Sequence, residues 1–227
     1  MLAIAGGKGG CGKTTTAVGL ARALARRERS PLVVGADPDV PDLRRLLGLR
    51  SEPSTDALPG GALDRVVHRP AELPGVAAVP AGRADRLGAT LCHARAWPGP
   101  VLVDCPPGCD GRAAVPLRVC DRAVVVTTDR PQSVEDARTT TDLLRRITAS
   151  AWATVVRHTE HSRAAKPALG GLPPVLTRVP EVSSPLADPR ARAAYARLAG
   201  GLYPRNHVSA DTPGSGGPDG TSESRNV

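Results

Sequence analysis

The chain has 227 residues and a formal net charge of +8, with 41% apolar residues and no phenylalanine. This length suits one domain that buries roughly 70% of the surface of its unfolded chain. No apolar run approaches the roughly 20 residues that cross a bilayer, and no secretory signal pattern precedes the first strand, so we expect a cytoplasmic protein. Five cysteines without a C-x-x-C pair argue against a disulfide framework.

The positive charge invites a nucleic-acid partner, because basic faces attract phosphate backbones without sequence preference. Only three of the thirty basic residues are lysine, and the arginines are dispersed along the chain. A GC-rich genome would raise the arginine content whatever the partner, and many arginine stems simply cover helix surface. Non-specific DNA therefore stays open as a partner, but the charge alone does not establish it.

Apolar segments alternate with helix-like segments, which predicts a mostly parallel sheet with helices on both faces, a three-layer α/β/α domain over residues 1–203. The first strand is expected at its centre. The serine-, proline- and glycine-rich residues 50–61 are predicted to form a surface loop. Residues 204–227 contain hardly any apolar side chains and are predicted to be disordered. The predicted strands are residues 2–5, 31–36, 75–79, 100–104, 122–128, 151–157 and 174–179, and the best-supported helices are 14–29, 133–147 and 188–202.

A glycine-rich segment, G-K-G-G-C-G-K-T-T at residues 7–15, follows the first strand and satisfies the P-loop pattern G-x-x-x-x-G-K-[ST]. Its glycines lack Cβ, so successive backbone N–H groups can face inward and cradle phosphates. Lys13 is expected to reach the β- and γ-phosphates, and Thr14 to ligate Mg²⁺. The alternative is an ordinary turn between a strand and a helix. The predicted nucleotide-binding residues here are Gly9, Gly10, Cys11, Gly12, Lys13, Thr14 and Thr15.

Lys8 makes the loop unusual, because a second lysine stands beside the P-loop Lys13. The pattern K-G-G-x-G-K-T-T resembles the deviant Walker A motif of the MinD/ParA family of ATPases. This resemblance implies ATP and Mg²⁺ as cofactors and a homodimer that sandwiches ATP. In that family the first lysine reaches the partner subunit's nucleotide, so Lys8 joins Lys13 among the predicted catalytic residues. The alternative for Lys8 is a solvated loop lysine.

Two further segments match the family. V-L-V-D-C-P-P-G at residues 101–108 resembles its Walker B and switch II, in which Asp104 would bind Mg²⁺ through water and the Gly108 N–H would be free to approach the γ-phosphate. The segment at residues 33–39 resembles switch I. Relatives usually have D-x-D there, and Asp37 matches the second acid, which helps to position the attacking water.

Gly35 replaces the first switch I acid and casts doubt on the rate of hydrolysis. Restoring it with Gly35→Asp is expected to raise turnover unless Gly35 has a positive φ. Asp39 and Asp42 are expected to be solvated turn residues.

The base-binding side departs further from the family. Arg157 stands where relatives usually have asparagine after a strand, and its guanidinium could stack on a base. Pro180, in V-P-E at residues 179–181, resembles a segment whose backbone lies near adenine in relatives. No N-K-x-D motif for guanine is present, so ATP is favoured over GTP.

The resemblance implies a weak Mg-dependent ATPase that acts as a dimerisation switch and positions or partitions a cargo. Its expected partner is an unknown activating or cargo protein. One alternative is a non-hydrolysing nucleotide-dependent scaffold, which Gly35 and Arg157 motivate. Another is a metal- or cofactor-insertion ATPase, which is weakened because Cys105 directly follows Asp104 and is expected to face the core. Residues 204–227 cannot form a basic amphipathic helix, so no direct membrane anchor is expected.

Overall fold

A computed structural model describes residues 1–7, 9–60, 63–108, 111–147, 150–158 and 168–204. Lys8 and the predicted disordered segment from residue 205 onward lie outside these ranges. The described strands are β1 (Leu2–Ala5), β2 (Leu32–Gly35), β3 (Ala77–Val79), β4 (Val101–Asp104), β5 (Arg122–Thr128), β6 (Ser150–Arg157) and β7 (Val175–Val179). The described helices are α1 (Lys13–Ala25), α2 (Asp42–Leu47), α3 (Leu63–Val66), α4 (Leu87–Ala94), α5 (Gly111–Val119), α6 (Pro131–Arg146) and α7 (Pro189–Leu202), with 3-10 helices at Thr55–Gly60 and Ala84–Arg86.

The seven strands form one sheet in the order β3-β2-β4-β1-β5-β6-β7, and every pairing is parallel. The prediction of a mostly parallel sheet with β1 at its centre is confirmed. Strands covered on both faces need continuous apolar sequence, and this requirement explains why the central strands could be predicted from short runs of Val, Leu and Ala.

Helices cover both faces of the sheet, and the alternation of side chains along β1 shows the two layers. Leu2 and Ile4 pack with α1, α2 and α7 on one face. Ala3 and Ala5 pack with α4, α5 and α6 on the other. This arrangement is the predicted three-layer α/β/α domain.

The helix ends differ from the predicted ones by a few residues, and local residue chemistry explains where the helices begin. α1 ends at Ala25, earlier than predicted, and Glu28 just beyond it has a left-handed φ of 59°. α6 begins at Pro131, which suits the first helical position because proline has no N–H to satisfy. Before α7, the Asp188 carboxylate accepts the N–H groups of Arg190 and Ala191, which caps the helix.

The predicted surface loop over residues 50–61 agrees with the exposed residues 50–52 but is wrong at Ser54 and Thr55. Ser54 and Thr55 are 1% exposed, and a 3-10 helix begins at Thr55. The Thr55 carbonyl accepts a hydrogen bond from the Thr90 hydroxyl of α4 at 2.8 Å. The Thr55 hydroxyl accepts a hydrogen bond from the Gly82 N–H at 2.6 Å. The segment therefore packs beneath α4, and small polar residues satisfy its backbone there.

α1 and α7 pack closely because a glycine meets an aromatic ring. A Cβ added at Gly19 of α1 would lie 2.4 Å from a ring carbon of Tyr195, which is 1% exposed on α7. Gly200 of α7 differs, since a Cβ there would meet only the Arg27 side-chain tip, at 3.3 Å. The two glycines therefore differ in how much space surrounds them.

We expect Gly19→Ala to lower the free energy of unfolding by about 1–3 kcal/mol, because overpacking against Tyr195 outweighs the gain in helix propensity of about 1 kcal/mol. Gly200→Ala should leave stability unchanged or raise it by up to about 1 kcal/mol. Urea unfolding midpoints at constant m-value measure both changes. An unchanged urea midpoint for Gly19→Ala would show that α1 and α7 can move apart without a loss of stability.

Candidate functional site

The carboxyl ends of three neighbouring strands bring the predicted site together. Ile4 on β1 lies opposite Asp104 on β4, and Asp104 lies opposite Gly35 on β2. The P-loop follows β1, and Asp37 follows β2 closely. Parallel strands end at one edge of the sheet, so the loop and both carboxylates lie at that edge.

A hydrogen bond joins the start of α1 to the end of β4. The Thr14 hydroxyl donates to Asp104 Oδ2 at 2.7 Å. Asp104 is 5% exposed, and its Oδ1 makes no hydrogen bond with any residue that the structure describes. Burial raises the pKa of Asp104 to about 7, although Thr14 and the nearby Lys13 ammonium both oppose this shift. The buried Asp104 carboxylate therefore lies next to the Thr14 hydroxyl oxygen.

Lys13 is 7% exposed at the first position of α1, and its charge acts on both site carboxylates. Asp37 Oδ1 accepts the backbone N–H groups of Asp39 and Val40, each at 3.2 Å. Burial raises the pKa of Asp37, while these hydrogen bonds and Lys13 act in the opposite direction. The side chain of Asp37 is therefore held by its own loop near Lys13.

The two carboxylates nearby are solvated as expected, although Asp42 belongs to a helix and not to a turn. Asp39 is exposed, and Asp42 is exposed in the first turn of α2 with Arg45 at 3.5 Å. Asp37 differs from both because it is partly buried.

Gly35 is restricted by space and not by backbone conformation. The backbone φ of Gly35 is not positive, so a left-handed backbone does not prevent a side chain at this position. A Cβ there would nevertheless lie 2.8 Å from the backbone nitrogen of Ala81. The expectation that Gly35→Asp restores turnover must therefore be revised, because a new carboxylate would push against the backbone beyond β3.

The Gly108 N–H is not free, which corrects the prediction that it can approach a γ-phosphate. It donates to the Gly7 carbonyl at 2.6 Å, and Gly108 has a left-handed φ of 90°. The segment after β4 is thereby attached to the start of the P-loop. From the other side, a Cβ at Gly7 would lie 2.3 Å from Cβ of Asp136 on α6.

Beside the P-loop lies a cleft of about 450 Å³. Its lining residues are Gly9, Gly10, Cys11, Thr128, Arg130, Gln132, Ser133, Arg157, His158 and Glu181. Arg157 lies over the loop, because a Cβ at Gly12 would meet its guanidinium at 2.3 Å. The buried Arg157 Nε makes no hydrogen bond within the described part of the chain. Pro180 is not among the lining residues, but its neighbour Glu181 is.

Sequence reasoning missed the residues after β5 that form another wall of this cleft. Ser133 Oγ accepts the Thr128 N–H at 2.9 Å, which fixes the loop between β5 and α6. His158 Nδ1 lies 3.0 Å from the buried Asp129 Oδ2. The run Thr-Thr-Asp at the end of an apolar strand was the available signal, since β5 lies directly beside β1.

The two cysteines nearest the site are buried. Cys11 is 4% exposed, and burial raises the pKa of its thiol although Lys13 and Arg157 oppose the shift. Cys105 is 3% exposed and faces the core as predicted. Cys109 lies outside the described residues.

Within the described ranges, the structure contains no helix with the length and apolar character needed to cross a membrane.

A family model described as the CobQ/CobB/MinD/ParA nucleotide-binding domain matches residues 2–183. The chain belongs to this family. The matched range includes the P-loop and the three strand ends described above, and the family includes ATPases. The resemblance to the MinD/ParA ATPases expected from the deviant Walker A pattern is thereby confirmed.

Individual relatives agree with this assignment. A protein of Methanocaldococcus jannaschii named as an uncharacterized ATP-binding protein is 32% identical over 149 residues, which are 60% of this chain and 55% of that protein. The septum site-determining protein MinD of Synechocystis is 27% identical over 149 residues, 60% of this chain and 56% of its own. The chain thus spans about half the length of the curated relatives it matches.

The fold matches a solved MinD structure. MinD of Pyrococcus horikoshii, solved with Mg-ADP, superimposes with a TM-score of 0.80 at 20% identity, over 93% of this chain and 98% of that one. At 20% identity, this likeness supports the fold of the present chain and nothing further.

The Asp104 carboxyl should make stability depend on pH without nucleotide or Mg²⁺. Its pKa is about 7 in the folded chain against 3.8 ordinarily, so the folded state binds more protons between these values. The free energy of unfolding should therefore fall as the pH rises through this window. Asp104→Asn still accepts the Thr14 hydroxyl but cannot ionise, so its advantage over the wild type should grow to about 2–4 kcal/mol at neutral pH.

Urea unfolding of both proteins between about pH 4 and pH 8 measures this difference, which should level off above the pKa of Asp104. Thr90→Ser, a change on α4, serves as a control that removes no carboxyl. Identical pH profiles for the wild type and Asp104→Asn would contradict the buried, protonated carboxyl.

Proposed function

We propose that this chain binds Mg·ATP at the P-loop, dimerises around it and hydrolyses it slowly, as a switch that positions or partitions a cargo. The observation that carries the proposal is the Thr14–Asp104 pair beside Lys13, with one carboxylate oxygen of Asp104 buried and without a hydrogen bond within the described part of the chain. A buried charge needs a counter-charge, and a divalent cation supplies one.

The residues at this pair suit Mg²⁺. Thr14 and Asp104 offer hard oxygen ligands, which Mg²⁺ prefers, and one or two such protein ligands are typical because the ion keeps several waters. When bound, Mg²⁺ would neutralise charge on the phosphate oxygens. Asp104 would hold the ion through water, and it would do so as the carboxylate, so binding should strengthen as the pH rises past its pKa of about 7.

The start of α1 suits phosphate. Gly12 precedes it with a φ of 95° and provides no side chain to cap the first turn, and the N–H groups of a first helical turn have no intrahelical partner and suit an anion. Gly10 has a φ of 80°, a second left-handed position that lets the loop curl. Lys13 adds a positive charge at the same point, and Cys11 and Thr15 flank it in the predicted cradle.

Arg157 would contact the nucleotide from the other side of the cleft. Its guanidinium lies against Gly12 and shares the cleft with His158 and Glu181. A planar cation without a hydrogen bond at Nε can stack on a base or meet a phosphate. We assign the base to this side, near Pro180, with ATP as the nucleotide; the Mg-ADP of the Pyrococcus MinD supports an adenine nucleotide.

Asp37 would orient the attacking water, and Lys8 would reach the nucleotide of the partner subunit. Asp37 is suited to its role because two backbone N–H groups hold its Oδ1 while Lys13 lies nearby. Catalysis would then consist of positioning and charge neutralisation.

A non-hydrolysing scaffold is the second candidate. The observation that favours it is the contact between Gly35 and the Ala81 backbone, which leaves no room for a first switch I acid. In that case nucleotide binding and dimerisation would persist without turnover.

The two P-loop lysines should differ in what they contribute. Lys13→Ala should lower ATP affinity at least about tenfold, because it removes a charge-assisted contact worth roughly 1.5–3 kcal/mol. Lys8→Ala should bind ATP with nearly normal affinity but stay monomeric, because its lysine would act across the dimer. A titration with a fluorescent ATP analogue and light scattering with excess Mg·ATP measure the two properties.

Each lysine variant is the control for the other, since both remove one positive charge from the same loop. Unchanged affinity in Lys13→Ala would refute the nucleotide site. An ATP-dependent dimer of normal stability in Lys8→Ala would make Lys8 an ordinary loop residue.

Asp37→Asn should slow hydrolysis at least about tenfold while leaving Mg·ATP affinity unchanged. The asparagine oxygen can still accept the N–H groups of Asp39 and Val40, so the loop should keep its shape. Single-turnover assays with excess protein measure the rate. Asp104→Asn is the comparison, since it should weaken the Mg²⁺ dependence of binding itself. A wild type that turns over no faster than Asp37→Asn would favour the scaffold.

A further inference from the structure

A groove of about 480 Å³ lies between the C-terminal half of α1 and helix α7, whereas the P-loop lies at the N-terminal end of α1. Four arginines line it, Arg22, Arg26, Arg27 and Arg192, and no carboxylate does. We call these four the groove arginines. They form a concentration of positive charge in a chain whose other arginines are dispersed.

None of the groove arginines forms an ion pair with a residue that the structure describes, although all four line one groove. Arg22 donates to the Leu186 carbonyl and Arg27 to the Tyr203 carbonyl, which are neutral acceptors. The side chains of Arg26 and Arg192 make no hydrogen bond in the described part of the chain. Ion pairs with nearby carboxylates are formed instead by Arg45, Arg69, Arg83, Arg95, Arg138, Arg145 and Arg190.

The groove arginines also lie close enough to repel one another. Burial lowers the pKa of Arg22, and the charges of Arg192 and Arg26 lower it further. Arginine nevertheless stays protonated in proteins, so the repulsion persists until an anion relieves it. One carboxylate, Glu72, lies in an adjoining cleft that shares Arg22 and Arg192, but it does not approach either within ion-pair distance.

The floor of the groove is apolar, which limits the kind of anion that fits. Ala23 and Tyr195 are buried, and Leu186 and the exposed Ala193 and Ala196 complete it. A nucleic-acid backbone would leave such a floor without an apolar partner. An amphipathic helix would place apolar side chains on the floor and carboxylates against the arginines on both walls.

We propose that this groove is a docking site for an acidic amphipathic helix of a partner protein. Both features of the groove are then used at once, the charge by carboxylates and the floor by apolar side chains. The proposal does not depend on nucleotide binding, because the groove shares no residue with the P-loop cleft.

The test uses a fluorescent designed peptide of about 14 residues, with leucines at helical spacing and glutamates on both flanks. A scrambled peptide of the same composition lacks the amphipathic face. The groove variant is Arg26→Glu with Arg192→Glu, two side chains without hydrogen bonds to lose. Its matched control is Arg118→Glu with Arg146→Glu, two exposed arginines outside any described ion pair, which change the net charge equally.

We expect the wild type and the control variant to bind the amphipathic peptide, and the groove variant to bind it at least about tenfold more weakly. Affinity should fall as salt rises from about 50 to about 300 mM, and the scrambled peptide should bind more weakly than the amphipathic one. Binding of the fluorescent ATP analogue should be the same in all three proteins, so a failed nucleotide site would be recognised separately.

Three results would overturn the proposal. The first is no peptide binding to the wild type at low salt. The second is equal loss in the groove and control variants, or equal binding of both peptides, which would reduce the effect to net charge. The third is a random-sequence DNA duplex that binds the wild type, loses affinity only in the groove variant and is not displaced by the peptide. That result would assign the groove to nucleic acid.

Discussion

The site depends on a carboxylate that a buried strand carries to the start of a helix. β4 lies between β1 and β2, so Asp104 at its end has little contact with water, and its pKa rises to about 7. The Thr14 hydroxyl and the Lys13 ammonium offset part of this desolvation. The same burial makes Asp104 both a source of instability in the empty domain and a strong oxygen ligand for a cation. Removing water from a charged group strengthens every remaining interaction that it makes.

Close backbone approaches limit which side chains fit around the P-loop. Gly35 lies against the Ala81 backbone, so a side chain at this position would press against a neighbouring segment. Gly7 lies against Asp136 of α6 and accepts the N–H of Gly108. The start of the loop at Gly7 is therefore held from two sides before any ligand is present, which reduces the entropy lost there when a ligand binds.

Local patterns were sufficient to predict the sheet, the glycine loop between β1 and α1, and the place of Asp104 at the end of β4, because continuous apolar strands and a glycine loop are encoded by adjacent residues. The parts that depend on distant contacts could not be predicted in this way. The burial of Thr55 depends on Thr90, and the Gly108 N–H is used by Gly7. The wall formed by Ser133 and Glu181 comes from two segments far apart in sequence, which meet only because β5, β6 and β7 continue the sheet beyond β1.

Positively charged residues that look alike in the sequence have different surroundings in the structure. Lys13 is buried beside carboxylates, whereas Arg45, Arg138 and Arg145 each pair with an acid one helical turn away. Arg157 lies over the P-loop with a buried nitrogen that makes no hydrogen bond in the described part of the chain. The groove arginines have an apolar floor between them and no acid within ion-pair distance. Composition alone cannot separate these cases, because net charge counts each of them equally. Their surroundings separate them, since an unpaired cation beside apolar surface favours a ligand with both properties, whereas a paired cation on a helix surface contributes little to binding.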